Sequence, residues 1–455
     1  MTERRVEIDR GRLDELLSRE RERYRSSNPR SAQQFGEAEH LFGRVPMTWM
    51  AKAAGGFPLY LAKAHGARVT DIDGHEYVDF CLGDTGAMAG HSPEPTVAAV
   101  ALRYGELGGA TTMMPSADAE WVGAELSRRF GLSRWSFTLT ATDANRWAIR
   151  LARAITGRPK ILKFEGAYHG ANAAGVTSLF SQKNLAFPTP ERTSAGLPSV
   201  EYELLVAPYN DLEATESIIR AHRHELAGVI MEPLQRCTPP EPGFLEGVRR
   251  LCSESGVLLI FDEVVTGFRL AYGGAQAYYG VIPDLVAYGK ALGGGYPIGA
   301  FGGRRDIMDL VNERHIGSDN YVWMASTLGG NPVSASAANA ALSVLRRPGT
   351  YDRLHQLGNW FRGELRQLLL KHELVAQVIG DGPLAQIVFT ERKVNDYRST
   401  ASGDKVLAKR MMFGLFQRGV FLNPMGTKLY LSIAHDEAIC GEFCDRLDQV
   451  LKEIR

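Results

Sequence analysis

Long apolar runs are missing from this chain: nowhere in its 455 residues are there the roughly 18 consecutive apolar positions that a membrane-crossing helix needs. The opening stretch, MTERRVEIDRGRLDELLSRERERYRSSNPRS, also lacks the apolar core of a secretory leader, so a cytoplasmic protein is expected. Charge of one sign is missing too. Lys plus Arg and Asp plus Glu each number 52, so no net field draws in nucleic acid or an anionic membrane surface. Cysteine is sparse. The five present, Cys81, Cys237, Cys252, Cys440 and Cys444, are odd in number, scattered and without a CxxC pair, which argues against a disulfide framework and fits a reducing compartment. Cys440 and Cys444 fall four apart on an expected helix, where buried thiols are a simpler reading than a metal site. Internal repeats and low-complexity tracts are absent as well.

What is there is a chain with 44% hydrophobic content, able to bury a large core and long enough for about three domains. Its 48 glycines, about one residue in ten against a usual ~7%, suit an enzyme with many close backbone approaches. The most informative stretch runs from Leu258 to Gly303, LLIFDEVVTGFRLAYGGAQAYYGVIPDLVAYGKALGGGYPIGAFGG. Val257 to Phe261 is continuously apolar, the pattern of a strand covered on both faces in a parallel sheet. Asp262 then ends that strand, and ligands of open α/β sheets gather at the strands' carboxyl edge. Lys290 ends a second short strand twenty-eight residues on, followed by Gly293, Gly294 and Gly295, which permit a tight turn beside a ligand. Either residue alone reads as a helix cap or a solvated loop lysine. Together they match the needs of pyridoxal phosphate: a carboxylate to hold the pyridine nitrogen protonated, and a lysine to form a Schiff base.

The segment DEVVTGFR…AYGGAQ…GVIPDLVAYGKALGGGYPIGAFGGRRDIM resembles the cofactor-lysine region of class III aminotransferases, most closely the glutamate-1-semialdehyde aminomutase-like subgroup. The resemblance spans about residues 36 to 452. It implies pyridoxal 5′-phosphate as cofactor and fold type I, a large domain with a mostly parallel central sheet plus a smaller α+β domain built from both termini. Thr138-Leu-Thr-Ala-Thr-Asp-Ala-Asn145 precedes a helix whose apolar face reads Ala144, Trp147, Ala148, Leu151 and Ile155, so Thr140 or Thr142 would cap it and leave amides facing an anion. The resemblance aligns this stretch with the family's Ser-Gly-Thr-Glu-Ala loop and puts Ala141 and Thr142 at the phosphate. Alanine replaces the family's glycine at 141, a strained choice if a positive φ is needed there. Tyr168, from Tyr168-His169-Gly170, takes the place of the ring-stacking aromatic. Val264, two residues beyond Asp262 on an extended backbone, would cover the other face. Glu232 ends the Val229-Ile-Met231 run and lies near the cofactor by the same likeness. Ala325-Ser-Thr-Leu-Gly-Gly-Asn-Pro332 resembles the stretch whose threonine reaches the phosphate of the neighbouring subunit, so Thr327 implies a homodimer with shared sites.

Alternating strand and helix patterns place candidate strands at Lys160 to Phe164, Leu204 to Ala207, Gly228 to Met231, Val257 to Phe261, Leu285 to Tyr288 and Gly299 to Gly302. Helices are expected between them, among others at Leu212 to Leu226 and Gly243 to Ser255. Residues 5 to 25 predict a docked surface helix with Val6, Leu13, Leu16 and Leu17 on one face. Asp73-Gly74 between alternating runs predicts a hairpin. Beyond about Asn331 long helices at 333–347, 351–373, 404–418 and 436–454 frame short strands at 384–389 and 429–433. The resulting division is residues 1–80 as an N-terminal segment and part of the small domain, 81–330 as the large cofactor domain and 331–455 as the C-terminal small domain.

The resemblance implies a transaminase that moves an amino group from an amino acid or amine to a keto acid or aldehyde through Lys290. Three positions depart from the aminomutase pattern: Trp49 stands for an arginine, Asp84 for an aromatic and Thr427 for a glutamate. With Met88, Trp49 suggests a bulkier or more apolar substrate, aromatic and β-amino compounds among them. Arg44 and Arg269 are candidate carboxylate partners, Arg269 being the more plainly structural. An intramolecular aminomutase and an amino-acid racemase or epimerase are the alternatives. A cofactor-sensing regulator would need an added DNA-binding domain, for which residues 1 to 35 are too short.

Overall fold

Three strands follow the N-terminal helices in a computed structural model that describes residues 8–52, 55–111, 113–197, 200–424 and 426–454. They are β1 (Leu61–His65), β2 (Arg68–Asp71) and β3 (Glu76–Asp79). β2 and β3 pair antiparallel around Asp73-Gly74, with Val69 opposite Tyr77, and Gly74 takes the positive φ such a turn requires. The N-terminal helix runs Arg10–Ser27, capped by Asp9, whose side chain accepts the amide of Arg12. Leu13, Leu16 and Leu17 are buried as their spacing predicts, whereas Val6 lies outside the described residues.

The chain divides into two compact units, Met1–Pro93 with Asp352–Val394 and Ser399–Arg455 forming one, and Glu94–Tyr351 with Asn395–Arg398 the other. The expected boundaries near 80 and 330 therefore move, to 93 and 351. The helix Pro332–Leu345 belongs to the large unit because its alanine-rich surface is buried on nearly every side, Ala335, Ala337, Ala338 and Ala341 among the buried residues.

The large unit is built on seven strands: β4 (Arg134–Thr138), β5 (Lys160–Phe164), β6 (Leu204–Ala207), β7 (Leu226–Met231), β8 (Leu258–Asp262), β9 (Leu285–Tyr288) and β10 (Gly299–Gly303). Their order is β4-β10-β9-β8-β7-β5-β6, and the five from β9 to β6 run parallel while β10 is antiparallel to both neighbours. β6, β7 and β9 are apolar, and β8 is apolar up to Asp262, because both faces are covered; all four are buried along their whole length. The helix expected to run to Leu226 stops at His222, since Leu226 already begins β7. The helix Ala141–Thr156 joins Ala144, Ala148, Leu151 and Ala152 to Ile161, Ile230, Ile260, Leu285 and Phe301 in one buried cluster. Ile155, expected on that face, is exposed instead, because it lies in the helix's last turn, beyond this cluster.

In the small unit β13 (Val420–Phe421) extends the β1-β2-β3 sheet parallel to β3, and β11 (Gln377–Ile379), β12 (Leu384–Val388) and β14 (Lys428–Tyr430) form an antiparallel sheet. Helices Thr350–Lys371, Lys405–Phe416 and Glu437–Ile454 supply Phe361, Leu365, Met411, Phe443 and Leu447 to its core. All five cysteines are buried and free, Cys440 and Cys444 on one helix face as expected.

Candidate functional site

β8 and β9 are parallel neighbours with Asp262 opposite Ala287, so Asp262 and Lys290, three residues beyond Ala287, emerge at one sheet edge. The Asp262 carboxylate is only 4% exposed and is held by three donors. Its Oδ2 accepts from His169 Nδ1 at 2.8 Å and from Asn145 Nδ2 at 2.7 Å, and its Oδ1 accepts the Val264 amide at 3.1 Å. A carboxylate offers about four acceptor directions, so one remains, on Oδ1. Two buried polar atoms beside it have no partner in the protein, His169 Nε2 and Asn145 Oδ1. An acceptor to spare beside unpartnered buried polar atoms calls for a polar ligand.

Val264 does not sit where an extended backbone would put it. β8 ends at Asp262, and the Val264 amide turns back onto that aspartate's own side chain, an Asx turn that breaks the two-residue alternation.

Lys290 adopts φ +47, a left-handed conformation that costs a lysine roughly 1–2 kcal/mol and persists only where its surroundings fix it. Gly289 before it is required by proximity: an added Cβ would lie 2.9 Å from the Cβ of Ala141. The lysine's backbone thus passes against the N-terminus of the helix Ala141–Thr156. That end is capped by Thr140, whose Oγ1 accepts the Asp143 amide at 3.1 Å. The amides of Ala141 and Thr142, in the helix's first turn, have no partner within the helix. Ala141 is an ordinary first-turn helical residue without positive φ, so alanine in place of glycine carries no strain. Gly170 closes in from the other side, with φ +98 and room for no side chain: a Cβ would stand 2.6 Å from Thr142 Oγ1 and 2.7 Å from its Cα.

Tyr168 is 39% exposed, its ring 5.7 Å from the Arg236 guanidinium carbon. Its amide donates to Glu232 Oε1 at 2.9 Å, while Glu232 Oε2 accepts the Arg236 amide at 3.1 Å. Glu232 therefore holds the backbone of the ring-bearing loop. From beneath, Lys163 does the same. It is completely buried, and its Nζ donates to the carbonyls of Ala167 at 3.0 Å, Gly175 at 3.3 Å and Thr177 at 2.6 Å. Burial pushes this amine down to about 7. Next to it Glu165 takes both Nε and Nη2 of Arg398, at 2.7 and 3.2 Å. Thr327 lies exposed before the helix Pro332–Leu345.

Of the substrate-pocket candidates, Trp49, Arg44, Asp84, Met88 and Thr427 belong to the small unit. Trp49 is part-exposed on the single turn Thr48–Ala51. Arg44 is exposed at φ +61 and donates to the Gly36 carbonyl at 2.9 Å. Asp84 stands in a run of four left-handed residues, Leu82 to Thr85, and accepts from Asn423 Nδ2 at 3.0 Å. Met88 is fully buried, so it offers no surface to a ligand, and Thr427 is buried with its hydroxyl on the Ile387 carbonyl. In the large unit, Arg269 is also fully buried, its Nε on the Val265 carbonyl at 3.1 Å, as a structural residue. Among the described residues no His, Cys, Asp and Glu form a group suited to a metal, and no helix is long and apolar enough to cross a membrane.

Sequence reasoning assigned no role to Asn145, His169 or Lys163. His169 adjoins Tyr168 in a quoted motif, and Asn145 borders an apolar helix face; each is a polar residue beside a buried pattern. A lysine inside an otherwise apolar strand, Lys-Ile-Leu-Lys-Phe, was the corresponding signal for Lys163.

Residues 49–451 match the family model for class-III aminotransferases. The chain is 36% identical over 436 residues to a glutamate-1-semialdehyde 2,1-aminomutase of Roseiflexus castenholzii, covering 94% of this chain and 98% of that one. A glutamate-1-semialdehyde aminomutase from Pseudomonas aeruginosa PAO1, solved in complex with PMP, superposes with a TM-score of 0.89 at 30% identity, covering 99% of this chain and 100% of the other. An omega-transaminase from Sphaerobacter thermophilus superposes with a TM-score of 0.87 at 33% identity over 93% of this chain and 98% of its own.

Proposed function

Because the chain belongs to the class III aminotransferases, enzymes of fold type I that use pyridoxal 5′-phosphate, we propose that it transfers an amino group from an amino acid or amine to a keto acid or aldehyde. The residues fit the cofactor. The vacant acceptor direction on Asp262 Oδ1 suits a ring N–H, and the first-turn amides of Ala141 and Thr142 suit a phosphate. When bound, the cofactor supplies a carbonyl that captures amines and a ring that takes up electrons.

Lys290 would be the covalent anchor in this reading, and its Nζ would be the base that takes the proton from the substrate's α-carbon and returns it elsewhere in the same adduct. Asp262 holds the ring-nitrogen proton. Tyr168 flanks the ring, and Glu232 keeps the Tyr168 backbone in place. Thr327 completes the phosphate site of a neighbouring copy, which makes the active form a homodimer. The observation that carries the reading is the meeting of Asp262, the Lys290 backbone and the Ala141 helix N-terminus at one sheet edge.

A second reading, intramolecular amino transfer, is favoured by the names of the relatives. Against it stand Trp49, Asp84 and Thr427 at positions where the resemblance leads one to expect arginine, an aromatic and glutamate. A racemase or epimerase would use the same lysine. To decide, purified protein is mixed with single amines and amino acids, aromatic and β-amino ones included, and the cofactor's absorbance is followed with product analysis. Transamination predicts loss of the yellow form with one equivalent of carbonyl product. Isomerisation of glutamate-1-semialdehyde without a released carbonyl product would overturn it in favour of the mutase, and inversion of substrate in favour of the racemase.

A further inference from the structure

The helix Ala141–Thr156 does more than present amides at its end. One turn in, at the same end, Asn145 points into the site, 1% exposed, and its Nδ2 lies 2.7 Å from Asp262 Oδ2 and 3.4 Å from the His169 carbonyl. The amide's orientation follows from chemistry: turned over, its oxygen would face a carboxylate oxygen with no hydrogen between them. His169 Nδ1 reaches the same Oδ2 at 2.8 Å. Both acceptor directions of Oδ2 are therefore filled, and the Val264 amide fills one of the two on Oδ1.

We propose that Asn145 is a positioning residue for the ring end of the cofactor: by occupying Oδ2 together with His169, it locks the Asp262 carboxylate so that one acceptor direction, on Oδ1, is left for the ring nitrogen. Ala141 and Asn145 stand four residues apart, about 6 Å along the helix axis. One rigid element thereby sets the spacing between the phosphate's donors and the ring nitrogen's acceptor. The inference rests on the reading of Asp262 as the ring-nitrogen partner.

The test reconstitutes apoprotein with ring-¹⁵N-labelled pyridoxal 5′-phosphate and measures the ring nitrogen's chemical shift and the cofactor's dissociation constant. Asn145→Leu keeps the γ-branched shape, somewhat enlarged, and removes the donor; Asn145→Ser is the smaller second variant should the leucine disturb folding, checked by circular dichroism. A hydrogen bond to a charged group predicts ~10- to 100-fold weaker cofactor binding, with a moved ¹⁵N signal. Unchanged affinity and shift in a folded variant overturn the proposal, and so does weaker binding with an unmoved shift, which marks Asn145 as packing alone. Asp262→Asn separates the two layers. If it leaves the shift in place, the reading of Asp262 itself fails; if it moves the shift while the Asn145 variants do not, only the role of Asn145 falls.

Discussion

Gly170→Ala probes the closest backbone approach in the site. Two costs are built into the position. At φ +98 any side chain is strained, by about 1–2 kcal/mol, and the new Cβ would stand 2.7 Å from Thr142 Cα, an atom of a helix backbone that cannot rotate aside. Overpacking of that kind costs about 1–3 kcal/mol, so the total is about 2–5 kcal/mol. Gly157→Ala is the internal control: this helix C-cap also has positive φ, +66, but an added Cβ meets nothing within 4 Å. It should lose only the strain, about 1 kcal/mol. Because the clash falls on Thr142, relief by displacement of the 168–170 loop or of the helix end must distort the phosphate donors or the ring-bearing loop. Gly170→Ala is therefore expected to bind pyridoxal 5′-phosphate at least ~10-fold more weakly, equivalent to about 1.4 kcal/mol, while Gly157→Ala binds as wild type. Titration of apoprotein with cofactor, followed by absorbance, measures both. Equal losses in the two variants, or wild-type affinity in Gly170→Ala, would refute the argument that this contact shapes the site.

Lys163→Met leaves three buried carbonyls without a donor at about 1–3 kcal/mol each, partly offset by relief from burying a charge, for a net loss of about 2–4 kcal/mol near pH 7. Burial lowers this lysine from 10.5 to about 7, so between those values the unfolded chain holds a proton that the folded chain has shed. Stability due to Lys163 thus rises with pH across that window, and the variant's deficit in urea should be larger at pH 9 than at pH 7; a deficit that shrinks contradicts the burial argument. Lys290→Ala should lose the cofactor that borohydride fixes covalently to the wild-type protein, read by intact mass, and retention of the fixed adduct would move the anchor elsewhere. Arg398→Met removes both hydrogen bonds to Glu165, and faster proteolysis within residues 165–190 than in wild type is the expected result; an unchanged cleavage pattern would show that the pair holds nothing.

The parts legible in sequence are those whose physics is local. A continuous apolar run can only be a doubly covered strand, so β8 and β9 and the chemistry at their ends could be read from Val257–Asp262 and Leu285–Lys290. Asp73-Gly74 specified its hairpin for the same reason. What escaped depends on partners far along the chain. Asn145 meets Asp262 across 117 residues and His169 meets it across 93, distances over which neither periodicity nor propensity carries information. Lys163 defied its residue type, since a lysine in a strand is expected in water unless carbonyls gather around it. Met88, expected beside the substrate, is buried, and proximity in sequence to Asp84 says nothing about which side of a left-handed turn faces inward.

The Glu165–Arg398 pair has a temporal meaning. Its members are 233 residues apart, and Tyr397 beside it donates to the Ser181 carbonyl at 3.1 Å, so the loop that carries Tyr168 and His169 is braced by a strip of chain made long after it. At ~5–20 residues per second, Arg398 leaves the ribosome's catalytic centre roughly 10–50 s later than Glu165. Once β10 has been made, at Gly303, the nascent large unit has its sheet strands, its lysine and its helix end, yet until Arg398 follows the loop above them is held on one side only. Cofactor capture in the cell is accordingly an event of the nearly finished chain, and a ribosome stalled well past Gly303 but short of Arg398 would display the complete seven-stranded sheet without a finished site.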